Sequence, residues 1–143
     1  MKKFSFRLEP VLKTRETKEE QAIIAYSLAQ KEYRSQQEKL EVLRDRLRET
    51  SDYKSDGTSA HDFLARTLYI NYLNISIKKQ EDVVETALKE LERKREALVK
   101  ARKDKLIMQK LKEKLYEDYL SDLNRWEAAV NDDQCMAQAY RKK

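Results

Sequence analysis

The stretch Ser51-Asp52-Tyr53-Lys54-Ser55-Asp56-Gly57-Thr58-Ser59 decides the fold. It holds the only glycine of a 143-residue chain and gathers Ser, Asp and Thr, residues that turn a backbone through local hydrogen bonds. Nothing else in the sequence reads as a connection. On its far side, Ser59-Ala60-His61-Asp62 has the Ser-x-x-acid spacing of a capping box, so a helix is expected to begin there. On its near side the chain runs back without a breaker to Pro10, the only proline. Pro10 suits the first turn of a helix, where its missing N–H has no partner to lose. The expected order is helix one over about 9–50, a loop over about 51–59 and helix two over about 60–140, a single coiled-coil hairpin spanning 1–143.

Composition agrees. One Gly and one Pro cannot supply the turns of a sheet protein or an α/β enzyme. Charged residues make up 40% of the chain and apolar residues another 40%, which suits long solvated helices better than a globule with a filled interior. Eight Tyr, many Leu and near-balanced charge argue against disorder. One Cys and one His exclude an internal disulfide and the usual clustered zinc sites, which makes a reducing cytoplasm the expected compartment. No apolar run is long enough to span a membrane, and the basic start Met1-Lys2-Lys3 leads into Phe4-Ser5-Phe6-Arg7 rather than a secretory apolar region.

Steps of four and three from Leu8 give Leu8, Leu12, Arg15, Glu19, Ala22, Tyr26, Ala29, Tyr33, Gln36, Leu40, Leu43 and Leu47, nine of them apolar among twelve. The same steps from Ile70 run without interruption to Tyr140, with weak points at Lys94, Lys105 and Lys112. Two such seams joined by a short loop fold back as an antiparallel pair, each burying the other. The fold class expected is therefore all-α, a long two-helix antiparallel coiled-coil hairpin with an overhanging C-terminal helix. If Leu47 pairs with the Phe63 region, helix one is exhausted near residues 100 to 105, leaving Leu106 through Trp126 without an intrachain partner. A break near Asn131-Asp132-Asp133 is allowed by the local sequence.

Charge is unevenly placed. Residues 93–115 hold ten Lys and Arg against three Asp and Glu, whereas residues 1–92 balance at 17 against 17. Arg93, Lys94, Arg95, Lys100, Arg102, Lys103 and Lys105 form the basic patch. Such a patch can neutralise phosphates, but aromatic stacking residues are absent from it, so an acidic protein surface is the preferred partner over nucleic acid. Catalysis finds no support. There is no glycine-rich phosphate loop, and no Ser or Cys nucleophile has a plausible base, since the only His, His61, falls in a capping turn. Cys135 follows Asp132 and Asp133, acidic surroundings that do not activate a thiol, so an inert surface or packing Cys is expected. No cofactor, metal or small-molecule substrate is expected. Tyr69, Tyr72, Tyr116, Tyr119 and Trp126 are candidate interface anchors.

The start Phe4-Ser5-Phe6-Arg7-Leu8-Glu9-Pro10-Val11-Leu12-Lys13-Thr14-Arg15 resembles the amino-terminal signature of the flagellar type III export protein FliJ family, and Tyr69 through Gln80 is similar to that family's segment after the loop. The resemblance implies a non-enzymatic coiled-coil stalk that sits in a hexameric export ATPase, contacts the membrane protein of the export gate and handles export chaperones. It implies a cytoplasmic protein at the cytoplasmic face of the membrane, serving flagellum assembly and motility. Matched through the loop glycine, the family's gate-contacting face falls on Tyr69, Leu73, Ser76 and Gln80. The ATPase-contacting end would then hold Phe4, Phe6, Leu8, Leu115, Tyr119 and Trp126. The alternatives are an injectisome-type stalk, a self-associating scaffold joined through its overhangs, and an RNA-binding coiled coil.

Overall fold

A computed structural model describes residues 2–53 and 59–142. Two helices account for most of them, α1 over Glu9–Asp52 and α2 over Ala60–Arg141, with no strand among the described residues. The bounds lie within two residues of those expected. The fold-back assigned to Gly57 lies outside the described residues. The break considered at Asn131-Asp132-Asp133 does not occur, because α2 continues through it to Arg141.

Three of the four helix ends have identifiable hydrogen-bond partners. The Glu9 N–H donates to the Phe6 carbonyl at 3.1 Å and the Leu12 N–H to the Leu8 carbonyl at 3.0 Å, so α1 starts in the turn ahead of Pro10. At the start of α2 the Asp62 N–H donates to Ser59 Oγ at 3.2 Å, which makes Ser59 the cap its spacing predicted. Arg66 satisfies the last turn of α1: its Nε donates to the Thr50 carbonyl at 2.9 Å and its Nη2 to the Ser51 carbonyl at 2.8 Å. Those carbonyls have no intrahelical donor, so a guanidinium from the second helix takes the place of a C-terminal glycine.

The two seams are the buried faces. Every seam position from Leu12 to Leu47 and from Ile70 to Lys112 is buried or half-buried, the polar ones included. The chain forms two compact units, Glu20–Val99 and a second made of Met1–Glu19 with Lys100–Lys143; each contains a stretch of both helices.

In the unit Glu20–Val99 the helices run antiparallel. Arg66 lies against Thr50 and Ser51, and Arg44 Nη2 meets Glu81 at 3.2 Å. Leu40, Leu73, Ile77 and Leu98 form its buried apolar residues, with Leu73 at 1% exposure. The polar positions of the two seams meet each other: Gln80 Nε2 donates to the carbonyl of Gln36 at 3.0 Å and to its Oε1 at 2.8 Å. An amide pair half-buried in an apolar seam is satisfied in only one register, so it selects that register.

The second unit is antiparallel as well. Arg15 Nη1 donates to the Asp104 carbonyl at 2.8 Å, Lys105 pairs with Glu19 at 3.0 Å, and Lys112 pairs with Glu9 at 2.7 Å. The lysines that looked like weak points are therefore the cationic halves of ion pairs, Lys94 completing the set with Glu90 at 3.7 Å. Phe6, Leu12 and Met108 form a buried cluster, with Phe4 packed against it. The Phe4 ring reaches Tyr116 at 5.1 Å and Tyr119 at 5.6 Å between centroids, in the tilted geometries aromatic pairs favour.

These contacts correct the expected overhang. Helix one is not exhausted near residues 100 to 105: Glu9 stands beside Lys112, and the segment before α1 extends cover to Tyr119. Pairing begins later in α2 than a tight fold-back would place it, with Arg66 rather than Phe63 beside the end of α1. The uncovered stretch is consequently shorter. Past it the seam positions Trp126, Met136 and Tyr140 are 50%, 67% and 83% exposed.

Candidate functional site

Among the described residues, the candidate sites are helix faces that the hairpin leaves uncovered. In the unit Glu20–Val99 the face expected at Tyr69, Leu73, Ser76 and Gln80 turns inward over much of its length. Leu73 is the most deeply buried side chain, and the Gln80 amide is engaged by Gln36. Ser76 is half-buried, and only Tyr69 stands largely free, its ring stacked 6.4 Å from that of Tyr72. Leu73 and Gln80 are seam positions, so in the closed hairpin Leu73 is covered by α1 and the Gln80 amide is engaged by Gln36.

A different row faces solvent. Leu64, Leu68, Tyr72 and Ile75 are 57–63% exposed and recur at steps of four, four and three, which places them along one side of α2. Four large apolar side chains on the outer side of a two-helix pair exceed the scatter expected of a solvated surface. The signal was present in the sequence as the same helical step begun one residue earlier, at Leu68, Tyr72 and Ile75. Tyr53, Asp62 and Tyr69 line a shallow groove beside this row, together with Arg66.

In the other unit the expected ATPase-contacting residues divide. Phe6 is buried at 8% exposure with Leu12 and Met108, and Phe4 is half-buried against the tyrosines. Lys112 Nζ lies 5.9 Å from the Phe6 ring centroid, within reach of a cation–π contact. Both phenylalanines therefore hold the chain's own N-terminal segment in place. Leu8, Leu115 and Trp126 remain open at 37%, 42% and 50% exposure, joined by Tyr116 at 46%, while Tyr119 is half-buried.

The basic patch is also sorted by the structure. Arg93 donates to both carboxylate oxygens of Glu90, at 3.0 and 2.7 Å, and this hydrogen bonding holds the Glu90 carboxyl below its ordinary pKa. Lys94 shares the same carboxylate, and Lys105 belongs to Glu19. Arg95, Lys100, Arg102 and Lys103 are exposed, and among the described residues no carboxylate lies within ion-pair distance of them. His61 and Cys135 are exposed as single side chains. Among the described residues no group of three or more His, Cys, Asp or Glu gathers to hold a metal ion, and no helix is long and apolar enough to cross a membrane.

The family described as flagellar FliJ protein matches this chain over residues 4–143. No curated protein matches it. Among solved structures, a protein described as a YscO homolog, CT670, from Chlamydia trachomatis superposes with a TM-score of 0.61 at 24% sequence identity, covering 99% of each chain. At that identity the likeness speaks for the two-helix fold.

Proposed function

This chain belongs to the flagellar FliJ protein family, and on that premise we propose that it acts as a non-enzymatic central stalk joining a hexameric export ATPase to the membrane export gate. Membership carries the coarser statement, a component of flagellar type III export. The finer roles are inferred from the two kinds of uncovered surface.

The gate contact is assigned to the outer row Leu64, Leu68, Tyr72 and Ile75 with Tyr69 beside it; Leu73, Ser76 and Gln80 form the layer beneath that holds the row in place. What supports this is exposure: a partner protein binds side chains it can reach, and large apolar ones at helical spacing suit a groove or a second helix. The ATPase contact is assigned to Leu8, Leu115, Tyr116 and the uncovered end of α2 with Trp126, while Phe4, Phe6 and Tyr119 keep the N-terminal segment docked beneath them. A single asymmetric stalk in a six-fold ring presents different side chains to different subunits, so it biases them unequally and conveys that bias toward the gate. The export chaperones and a location at the cytoplasmic face of the membrane follow from the same premise.

The observation that carries the ATPase assignment is the exposed apolar stretch of α2 beyond Tyr119. Deleting residues 124–143 spares every contact of Phe4 and Phe6, so helicity and melting temperature should persist while stimulation of the export ATPase is lost. Unchanged stimulation would remove this assignment.

A further inference from the structure

Opposite the seam, α2 carries a second ordered face within the unit that contains Lys100–Lys143. Ala101, Lys105, Met108 and Lys112 point into the pair and are buried or half-buried. Lys100, Lys103, Leu106, Ile107, Lys110 and Lys114 are all exposed, Leu106 at 49% and Ile107 at 60%. Lys103 and Lys110 are separated by one heptad, as are Lys100, Ile107 and Lys114, so both rows run straight along the outer side, the longer one for roughly 21 Å. Outer heptad positions of a two-helix pair are ordinarily polar throughout; here two large aliphatic side chains stand beside a frame of four lysines.

No carboxylate within ion-pair distance neutralises that frame among the described residues. Glu9 and Glu19, two of the three acids in the opposing residues 2–19, are taken by Lys112 and Lys105. Residues 100–114 hold seven Lys and Arg against two Asp and Glu, and the opposing residues 2–19 add six against three. The cationic field is therefore directed outward and left for a partner.

From this we propose that the face Lys100, Lys103, Leu106, Ile107, Lys110 and Lys114 docks an acidic amphipathic helix of a partner protein, laid along α2 as a third helix. Three features select that occupant. A row repeating every seven residues matches side chains presented by another helix lying nearly parallel, whose own contacts recur at the same interval. Leu106 and Ile107 offer apolar contact but no aromatic surface on which a base would stack, which disfavours nucleic acid. Lysines occupy the middle of the face rather than its flanks, so the apolar pair cannot sink into a bilayer without carrying charge with it.

A second copy of this chain is the remaining contender, because residues 117–133 are acidic, six against one. Their apolar row, Tyr119, Leu123, Trp126 and Val130, continues the seam side of α2, whereas the basic row lies on the opposite side. A copy that gave its acidic stretch to one neighbour would have to receive another on its far side. Pairing of that kind runs on as an open chain and does not close into a dimer, which disfavours self-association.

The test measures fluorescence anisotropy of the full chain with a labelled synthetic peptide of about six helical turns, bearing Glu at heptad spacing beside a Leu row. A scrambled peptide of the same composition, a single-stranded RNA and phosphatidylglycerol vesicles serve as the other probes. The ordered peptide should bind best. Its affinity should fall about tenfold or more in Lys103→Glu/Lys110→Glu and several-fold in Ile107→Ser, with helicity unchanged because these positions are exposed. The proposal is overturned if the scrambled peptide, RNA or vesicles bind as tightly as the ordered peptide, or if the substitutions leave its affinity unaltered. Concentration-dependent assembly in sedimentation that disappears in Lys103→Glu/Lys110→Glu overturns it too, by making a second copy the occupant.

Discussion

Arg66 is the residue on which the loop end of the hairpin is fastened. Its guanidinium donates to the carbonyls of Thr50 and Ser51, groups that end α1 without intrahelical donors. Arg66→Ala should destabilise the fold by about 1–3 kcal/mol in chemical denaturation, because it withdraws two charge-assisted hydrogen bonds at once. A single side chain also separates the buried layer from the outer row. Leu73→Ala should cost about 2–5 kcal/mol of stability, the usual range for emptying a packed site. Tyr72→Ala and Ile75→Ala should change stability by less than about 1 kcal/mol, their side chains being 63% and 57% exposed, yet weaken binding to the soluble domain of the export gate. Equal binding losses for Leu73→Ala and Tyr72→Ala, measured where both variants remain folded, would return the gate contact to the inner face. At this scale the sequence was legible where chemistry is local, as with Pro10 and the Ser59 cap. It was silent on Arg66, because nothing in the neighbourhood of a surface arginine says which distant carbonyls it will meet.

At the scale of the helix, the seams were readable because period and burial are the same fact for a two-helix pair. Every seam position from Leu12 to Leu47 is removed from full exposure, although four-three spacing was all that marked them. What the spacing does not contain is which turn of α1 faces which turn of α2. Apolar contacts tolerate a slip of one heptad, whereas Gln36 with Gln80 and Glu19 with Lys105 do not. The Glu19 and Lys105 side chains are 14% and 27% exposed, so their pairing is partly sheltered from solvent. Glu19→Lys and Lys105→Glu should each destabilise the hairpin, and the double exchange should recover about 1 kcal/mol beyond additivity in a double-mutant cycle. Replacing Gln36 and Gln80 together by Leu should raise the melting temperature while broadening the distances that paired spin labels report across the hairpin, as register selection is lost. A distance distribution as narrow as the parent's would show that the amide pair does not select register.

On the scale of the whole molecule, the uncovered surfaces follow from unequal helix lengths and from where the two seams meet. A chain with 44 residues in α1 and 82 in α2 must leave part of the longer helix without an intrachain partner. That much, together with the two-helix class and the position of the connection, follows from the sequence by itself, since breakers, caps and apolar period are all local in the chain. The FliJ resemblance was legible in the same way, from Phe4 to Arg15 and from Tyr69 to Gln80. Only the tertiary structure decided the register, and with it which apolar side chains are free. It drew Phe4 and Phe6 onto Met108, Tyr116 and Tyr119, shortened the uncovered stretch and set the Gln80 amide against Gln36. It also absorbed Lys105 and Lys112 into ion pairs, so that a patch spread around α2 resolved into one outward row. The physical reason is that helical period fixes which residues share a side, whereas exposure depends on what the opposing helix brings to that side, and that is settled by long-range pairing.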